Sequence, residues 1–195
     1  MMRNERDKPT IHLVAGPNGA GKTTFALTYL RDVGVRDFIN ADMIARGISP
    51  LDPAAAQVEA GRIFLKLLEE KIALREDFAF ETTLSGRTYL RKISSWRRAG
   101  WRVVVHFLWI PSSEFSMRRV RERVEQGGHD IPVEDIKRRY ARVMRNLGEL
   151  GKICDDVVCY DNTRSERAVI FSVIDGEMTI ENASLYAEIV KNFEA

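Results

Sequence analysis

Short apolar runs alternate along the chain with longer stretches whose apolar residues recur every three or four positions. Residues 11–15 form an apolar run short enough for a buried strand, and residues 23–31 read as a helix. Residues 37–40 predict a second strand ending at Ala41-Asp42, with a short helical piece over 42–46. After the break at Ser49-Pro50-Leu51-Asp52-Pro53, Asp52 is placed to cap a helix and Pro53 to occupy its first position. That helix should reach about Arg75, with Ala60, Phe64, Leu67 and Leu68 on one stripe.

Residues 78–83 predict a third strand with a polar end, 86–98 a helix closed by Gly100, and 101–110 a mostly apolar fourth strand broken by Pro111. Two helices follow, over 113–126 and from Pro132 to about 150, around a turn at 127–130. A fifth strand covers 154–160. The tail differs: 167–174 and 177–181 flank Asp175-Gly176, a two-residue hairpin signal, and a last helix covers about 184–192. Strands alternating with helices predict a parallel sheet flanked by helices. We expect one α/β domain over 1–195, with a helical lid over 113–150 and a hairpin-plus-helix addition over 165–195.

Composition narrows the picture little. Of 195 residues, 45% are hydrophobic and 30% charged, an ordinary globular mix, and a net charge of +2 does not call for a nucleic-acid partner. The longest apolar run, 103–110, is too short to span a bilayer, and residues 1–8 lack the apolar core of a signal peptide, so a cytoplasmic protein with no membrane partner is expected. Cys154 and Cys159 lie five apart, which in a strand sends them to opposite faces. Neither a mutual disulfide nor a shared metal is expected.

Chemistry enters at Gly16-Pro17-Asn18-Gly19-Ala20-Gly21-Lys22-Thr23, which fits the phosphate-binding pattern G-x-x-x-x-G-K-[ST] between a strand and a helix. The glycines turn backbone N–H groups inward, Lys22 reaches the β- and γ-phosphates, and the Thr23 hydroxyl suits magnesium. Residues Gly16 to Thr24 are therefore expected to bind ATP or GTP with Mg2+. Ligands of such sheets sit beyond the carboxyl ends of the strands, which selects Asp42, residues 81–85 and Tyr160-Asp161-Asn162. Asp42 can take a proton from an attacking hydroxyl, or cap the short helix; Arg46 shares its face. Glu81 can hold a magnesium-bound water or accept hydrogen bonds from substrate. Thr82, Thr83 and Ser85 stand beside it as substrate contacts, or in the case of Thr83 and Ser85 as helix caps. Tyr160-Asp161-Asn162 either lines a base pocket or forms an ordinary turn. Of the many arginines on the two basic helices, Arg119, Arg123 and Arg139 are the candidates to neutralise a transferring phosphoryl group. His129 lies at the turn between those helices, while His12 and His106 lie inside strands, where packing suffices.

Taken in order, Gly16 to Thr24, Asn40-Ala41-Asp42 with Arg46, Glu81-Thr82-Thr83-Leu84-Ser85-Gly86, the segment 119–140 with Gly127-Gly128-His129 and Pro132, and Tyr160-Asp161-Asn162 resemble the zeta-toxin-like ATPases over about residues 10–165. The resemblance implies a P-loop fold like that of nucleoside monophosphate kinases. It implies ATP-dependent phosphorylation of a small-molecule hydroxyl, in zeta toxins that of UDP-N-acetylglucosamine, and an antitoxin as protein partner. Asp42 would be the base, Glu81 a substrate-site acid, and the lid arginines the γ-phosphate clamp. The family's second clamp arginine lies a few residues before a proline. Here His129 precedes Pro132, and either His129 or Arg139 takes that place. A nucleotide-dependent switch or nucleic-acid-binding ATPase is the alternative reading.

Overall fold

The computed structural model describes residues 8–128, 130–164 and 166–193. Five parallel strands come first: β1 (Thr10–Ala15), β2 (Phe38–Ile39), β3 (Phe78–Thr82), β4 (Arg102–Trp109) and β5 (Asp156–Asp161). The hairpin β6 (Ala168–Ile174) and β7 (Glu177–Ile180) adds antiparallel to β5, giving one sheet in the order β2-β3-β1-β4-β5-β6-β7. Asp175 and Gly176 turn the hairpin with φ of 50° and 85°, the positive values a two-residue turn needs.

Helix α1 (Lys22–Asp32) covers one face, where Phe25 and Tyr29 meet His106. On the other face, Phe64 of α3 (Gln57–Leu74) and Trp96 of α4 (Thr88–Arg98) meet Phe80. A parallel sheet covered on both sides needs apolar residues facing both ways, and Ile11, Leu13 and Val14 of β1 are all fully buried.

Several boundaries moved for local reasons. Helix α3 begins at Gln57, because residues 53–56 make tighter turns through Ala56 N–H to Pro53 O and Gln57 N–H to Ala54 O. Asp52 accepts from Ala55 N–H at 3.3 Å, so it caps that turn instead of the helix. Helix α4 starts at Thr88 and not at Gly86.

The segment 113–150, expected as a lid, does not stand apart from the sheet. Helix α5 (Ser113–Glu125) buries Ser116 and Val120. Helix α6 (Val133–Ile153) buries Ile136, Tyr140, Val143, Met144, Leu147 and Leu150, and the Tyr140 hydroxyl donates to Ile110 O at 2.9 Å. This buried stripe carries α6 through Gly148 and Gly151 to Ile153, so Cys154 caps the helix and does not begin a strand. Both cysteines are buried free thiols. Burial pushes the Cys154 thiol up to about 12 and raises Cys159 as well.

Candidate active site

The sheet order puts the carboxyl end of β1 between those of β3 and β4, and the phosphate loop emerges there. Its backbone needs glycine. Gly19 and Gly21 hold φ of 71° and 77°, and a Cβ on Gly21 would sit 2.6 Å from Asn162 Nδ2. Asn162 is held in that place by donating to Ala20 O at 2.6 Å. On the opposite side, Ser116 of α5 donates to Asn18 O at 2.5 Å. The loop is thus braced from two directions by elements distant in sequence.

Lys22 opens α1 and is buried, with Nζ donating to Pro17 O at 2.8 Å and lying 3.8 Å from Glu81 Oε1. Burial lowers its pKa; the charges of Glu81 and Asp42 pull it back up. Register pairs Val14 with Glu81, so the carboxylate leaves β3 beside the loop. The Thr23 hydroxyl donates to Glu81 Oε2 at 2.6 Å, and Asn40 Nδ2 donates to the same oxygen at 2.6 Å. Among the described residues no cluster of three or more His, Cys, Asp or Glu could hold a metal. A hydroxyl and a carboxylate side by side, with room for phosphate oxygens, nevertheless suit a hard cation such as magnesium, which keeps most of its ligands as water and substrate.

Helix α2 (Ala41–Ile48) is capped by Asn40, whose Oδ1 accepts from Met43 N–H at 2.9 Å. Capping therefore does not account for Asp42, which sits in the first turn and lines a cavity of about 420 Å3 together with Lys22, Glu81, Arg123 and Arg139. Arg46 does not line this cavity. It borders an adjoining one of about 410 Å3, which also touches Asp42 and Arg123.

Thr82 and Thr83 line the larger cavity, but their hydroxyls are engaged locally. Thr82 Oγ1 accepts from Leu84 N–H at 3.0 Å, and Thr83 Oγ1 lies 3.1 Å from Ser85 Oγ. Arg87 occupies the N-cap of α4, so neither Thr83 nor Ser85 caps it.

The three candidate arginines separate. Arg123 borders the phosphate-loop side as well as the Asp42 side of the cleft. Its place is fixed by the end of α5: Gly127 holds φ of 81°, its N–H donates to Val124 O, and Gly128 N–H donates to Arg123 O, the paired bonds of a left-handed helix stop. Arg119 borders the phosphate-loop side, but its guanidinium donates to Asn162 O at 2.9 Å and Thr163 O at 3.1 Å. Arg139 lines the cleft 3.6 Å from Asp135 Oδ2. His129 lies outside the described residues.

Two contributors escaped the motif reading as side chains with tasks of their own, Asn40 and Asn162. Both are neutral amides whose partners are remote, and only their position at a strand end signalled them. Tyr160 turns into the packing beneath α1, 5.2 Å from the Phe25 ring. His12 and His106 stack there at 5.6 Å with Nδ1 and Nε2 3.3 Å apart, as packing residues should.

The sequence profile of the AAA domain family matches residues 11–145, more than half of the chain. The chain belongs to this AAA domain family. The match spans the phosphate loop, Asp42, Glu81 and all three candidate arginines. An uncharacterized protein from Haemophilus influenzae is 33% identical over 125 residues, 64% of this chain and 88% of that protein.

Among solved structures, a chain of the AvrRxo1-ORF1:AvrRxo1-ORF2 complex with sulphate ions superposes with a TM-score of 0.76 at 17% identity, over 93% of this chain and 63% of that one. The same complex with ATP gives 0.74 at 18%. A chain from the PezAT chromosomal toxin–antitoxin system of Streptococcus pneumoniae gives 0.65 at 18%, over 96% and 87%. Identities this low establish a shared α/β fold, and this AAA-domain chain spans less than two thirds of the AvrRxo1 chains.

Proposed function

We propose that this protein is a phosphotransferase of the zeta-toxin type, moving the γ-phosphoryl group of ATP to a hydroxyl of a small molecule. The observation that carries the reading is that Lys22, Asp42, Glu81 and Arg123 border a single cavity at the carboxyl ends of the parallel strands. In this reading the inward N–H groups of residues 16–24 cradle the triphosphate, and Lys22 bridges its β- and γ-phosphates. Thr23 and Glu81 would hold magnesium, which when bound neutralises charge on those phosphates. The acceptor hydroxyl approaches from the Asp42 side, and Asp42 takes its proton as the oxygen attacks. Arg123 offsets the charge that spreads over the phosphoryl oxygens, with Arg139 closing the wall beyond it.

An antitoxin-type protein partner fits the same reading, since the PezAT structure comes from a toxin–antitoxin system. Among the described residues no helix is long and apolar enough to cross a membrane.

The test is Asp42→Asn, assayed with labelled ATP, magnesium and a panel of hydroxyl compounds including cell extract. Transfer should fall roughly 100-fold or more while ATP affinity holds, the lower range for a positioned base. An unchanged transfer rate removes Asp42 from the mechanism.

A further inference from the structure

The acceptor's own charge can be read from what the cleft offers once the donor has taken its share; this rests on the phosphotransferase reading above. With ATP and magnesium in place, Lys22, Arg123 and Glu81 face the triphosphate and its metal. The titratable side chains then left around the two joined cavities are Asp42, Asp52, Asp130 and Asp135 against Arg46 and Arg139, four carboxylates to two guanidinium groups.

Asp135 is held mainly by Arg138, whose guanidinium donates to Oδ1 at 2.6 Å, and lies 3.6 Å from Arg139 through its other oxygen, so Arg139 keeps much of its charge for the cleft. Asp130 and Asp52 each accept one backbone N–H, from Ile131 at 2.8 Å and Ala55 at 3.3 Å, which holds the carboxylates in position but leaves their charge unneutralised. Arg46 and Arg139 face the remaining three, Asp42, Asp52 and Asp130. The outer wall is partly apolar, through Pro53, Ala54 and Leu51, whose side chain is fully exposed at the rim.

A nucleotide sugar brings a diphosphate, which needs guanidinium or ammonium partners beyond those holding ATP. The acceptor side offers Arg46 and Arg139 for this purpose and sets three carboxylates on the same walls. Those carboxylates repel a second anion. An ammonium group beside the reacting hydroxyl has the opposite fate, since Asp130 and Asp52 stand ready to accept its hydrogen bonds.

We propose that the acceptor is a hydroxyl compound carrying an amine, of the amino-sugar or aminocyclitol class, and not a nucleotide sugar. Asp52 and Asp130 would set this preference, and Leu51 would cover an apolar part of the ligand. The transferred group goes from the γ-phosphate to the acceptor oxygen, the hydroxyl proton goes to Asp42, and ADP leaves.

The experiment measures binding by calorimetry to the whole chain loaded with magnesium and a non-hydrolysable ATP analogue. Glucosamine and kanamycin are the amine probes, and UDP-N-acetylglucosamine is the anionic one. The amine probes should bind, with affinity falling as salt rises. Asp52→Asn and Asp130→Asn should each weaken kanamycin about 5-fold or more, and UDP-N-acetylglucosamine should bind at least 10-fold more weakly than kanamycin. Tighter binding of the nucleotide sugar, no binding of either amine probe, or amine affinities unmoved by both substitutions overturns the proposal. The analogue's own affinity, measured in the same runs, separates the failures. If the analogue does not bind, the phosphotransferase reading falls; if it binds but the preference is reversed, only the acceptor class falls.

Discussion

Asn40 donates its side-chain amide to Glu81 Oε2 at 2.6 Å while its own Oδ1 caps the helix that carries Asp42. One neutral side chain thereby ties the acid beside Thr23 to the helix that carries Asp42. Glu81 reaches the cleft from β3 and Asp42 from the first turn of α2, and a rigid link between them fixes their separation. A charged residue at position 40 would alter both environments at once.

Replacing Asn40 with alanine should cost roughly 2–3 kcal/mol, combining a lost helix cap with a lost hydrogen bond to a charged acceptor. Asn40→Asp keeps the cap but sets a second carboxylate against Glu81, a repulsion that a bound cation relieves, so it should retain the helix yet lower the magnesium needed for activity. Urea unfolding and a magnesium titration distinguish the two variants. Matching magnesium requirements in Asn40→Asp and the parent chain would refute the coupling.

Gly21→Ala should abolish nucleotide binding and destabilise the fold, because its φ of 77° disfavours a Cβ and Asn162 Nδ2 would lie 2.6 Å away. Asn162→Ala alone removes the bond to Ala20 O. If the contact is the main cost, the double variant should be more stable than the sum of the single losses, by about 0.5–2 kcal/mol. Strict additivity in a double-mutant cycle would assign the whole effect to backbone strain.

Arg123 and Arg119 should fail differently. Arg123→Ala should lower kcat roughly 100- to 1,000-fold, as when a charge-stabilising donor is removed from a transition state. Arg119→Ala breaks bonds to Asn162 O and Thr163 O, so it should lower the unfolding midpoint and weaken ATP binding more than it slows the chemical step. Equal kinetic defects with unchanged stability in both would contradict the division drawn from the geometry.

Acid should weaken the fold through His106. Its ring is buried to 1% exposure, and burial, reinforced by the charge of His12, pushes its pKa down to about 3. An unfolded histidine titrates near 6.5, so below that pH the unfolded chain gains a proton that the native chain refuses. Stability is therefore complete above about pH 6.5 and is lost as pH falls toward 3, at up to about 1.4 kcal/mol per pH unit for one such proton. His12 is lowered in the same direction, chiefly by burial. Denaturant unfolding at pH 7, 6 and 5 should show this slope, and His106→Gln should flatten it. Parallel profiles for the two proteins would exclude His106 as the source.

Reading the sequence alone located the five parallel strands, the hairpin at Asp175-Gly176 and the phosphate loop, because each depends on residues close together in the chain. Apolar runs between turn residues set strands, positive-φ glycines set turns, and the G-x-x-x-x-G-K-[ST] spacing sets the cradle. The place of Asp42 and Glu81 at the cleft was legible for a related reason, since residues at or just after the carboxyl end of an apolar strand stand where the cleft opens. Tertiary structure alone decided which groups meet. The insertion of β3 between β1 and β2 places Glu81 against Thr23, a contact across 58 residues that no local pattern encodes. It also sorted the arginines, which share one charge and one helical spacing but differ in what the fold sets beside them: backbone carbonyls for Arg119, Asp135 for Arg139, and for Arg123 a place where both halves of the cleft join. The same burial turned the expected lid helix α6 into part of the core, because hydrophobic contact energy depends on the partner surface and not on the stripe alone.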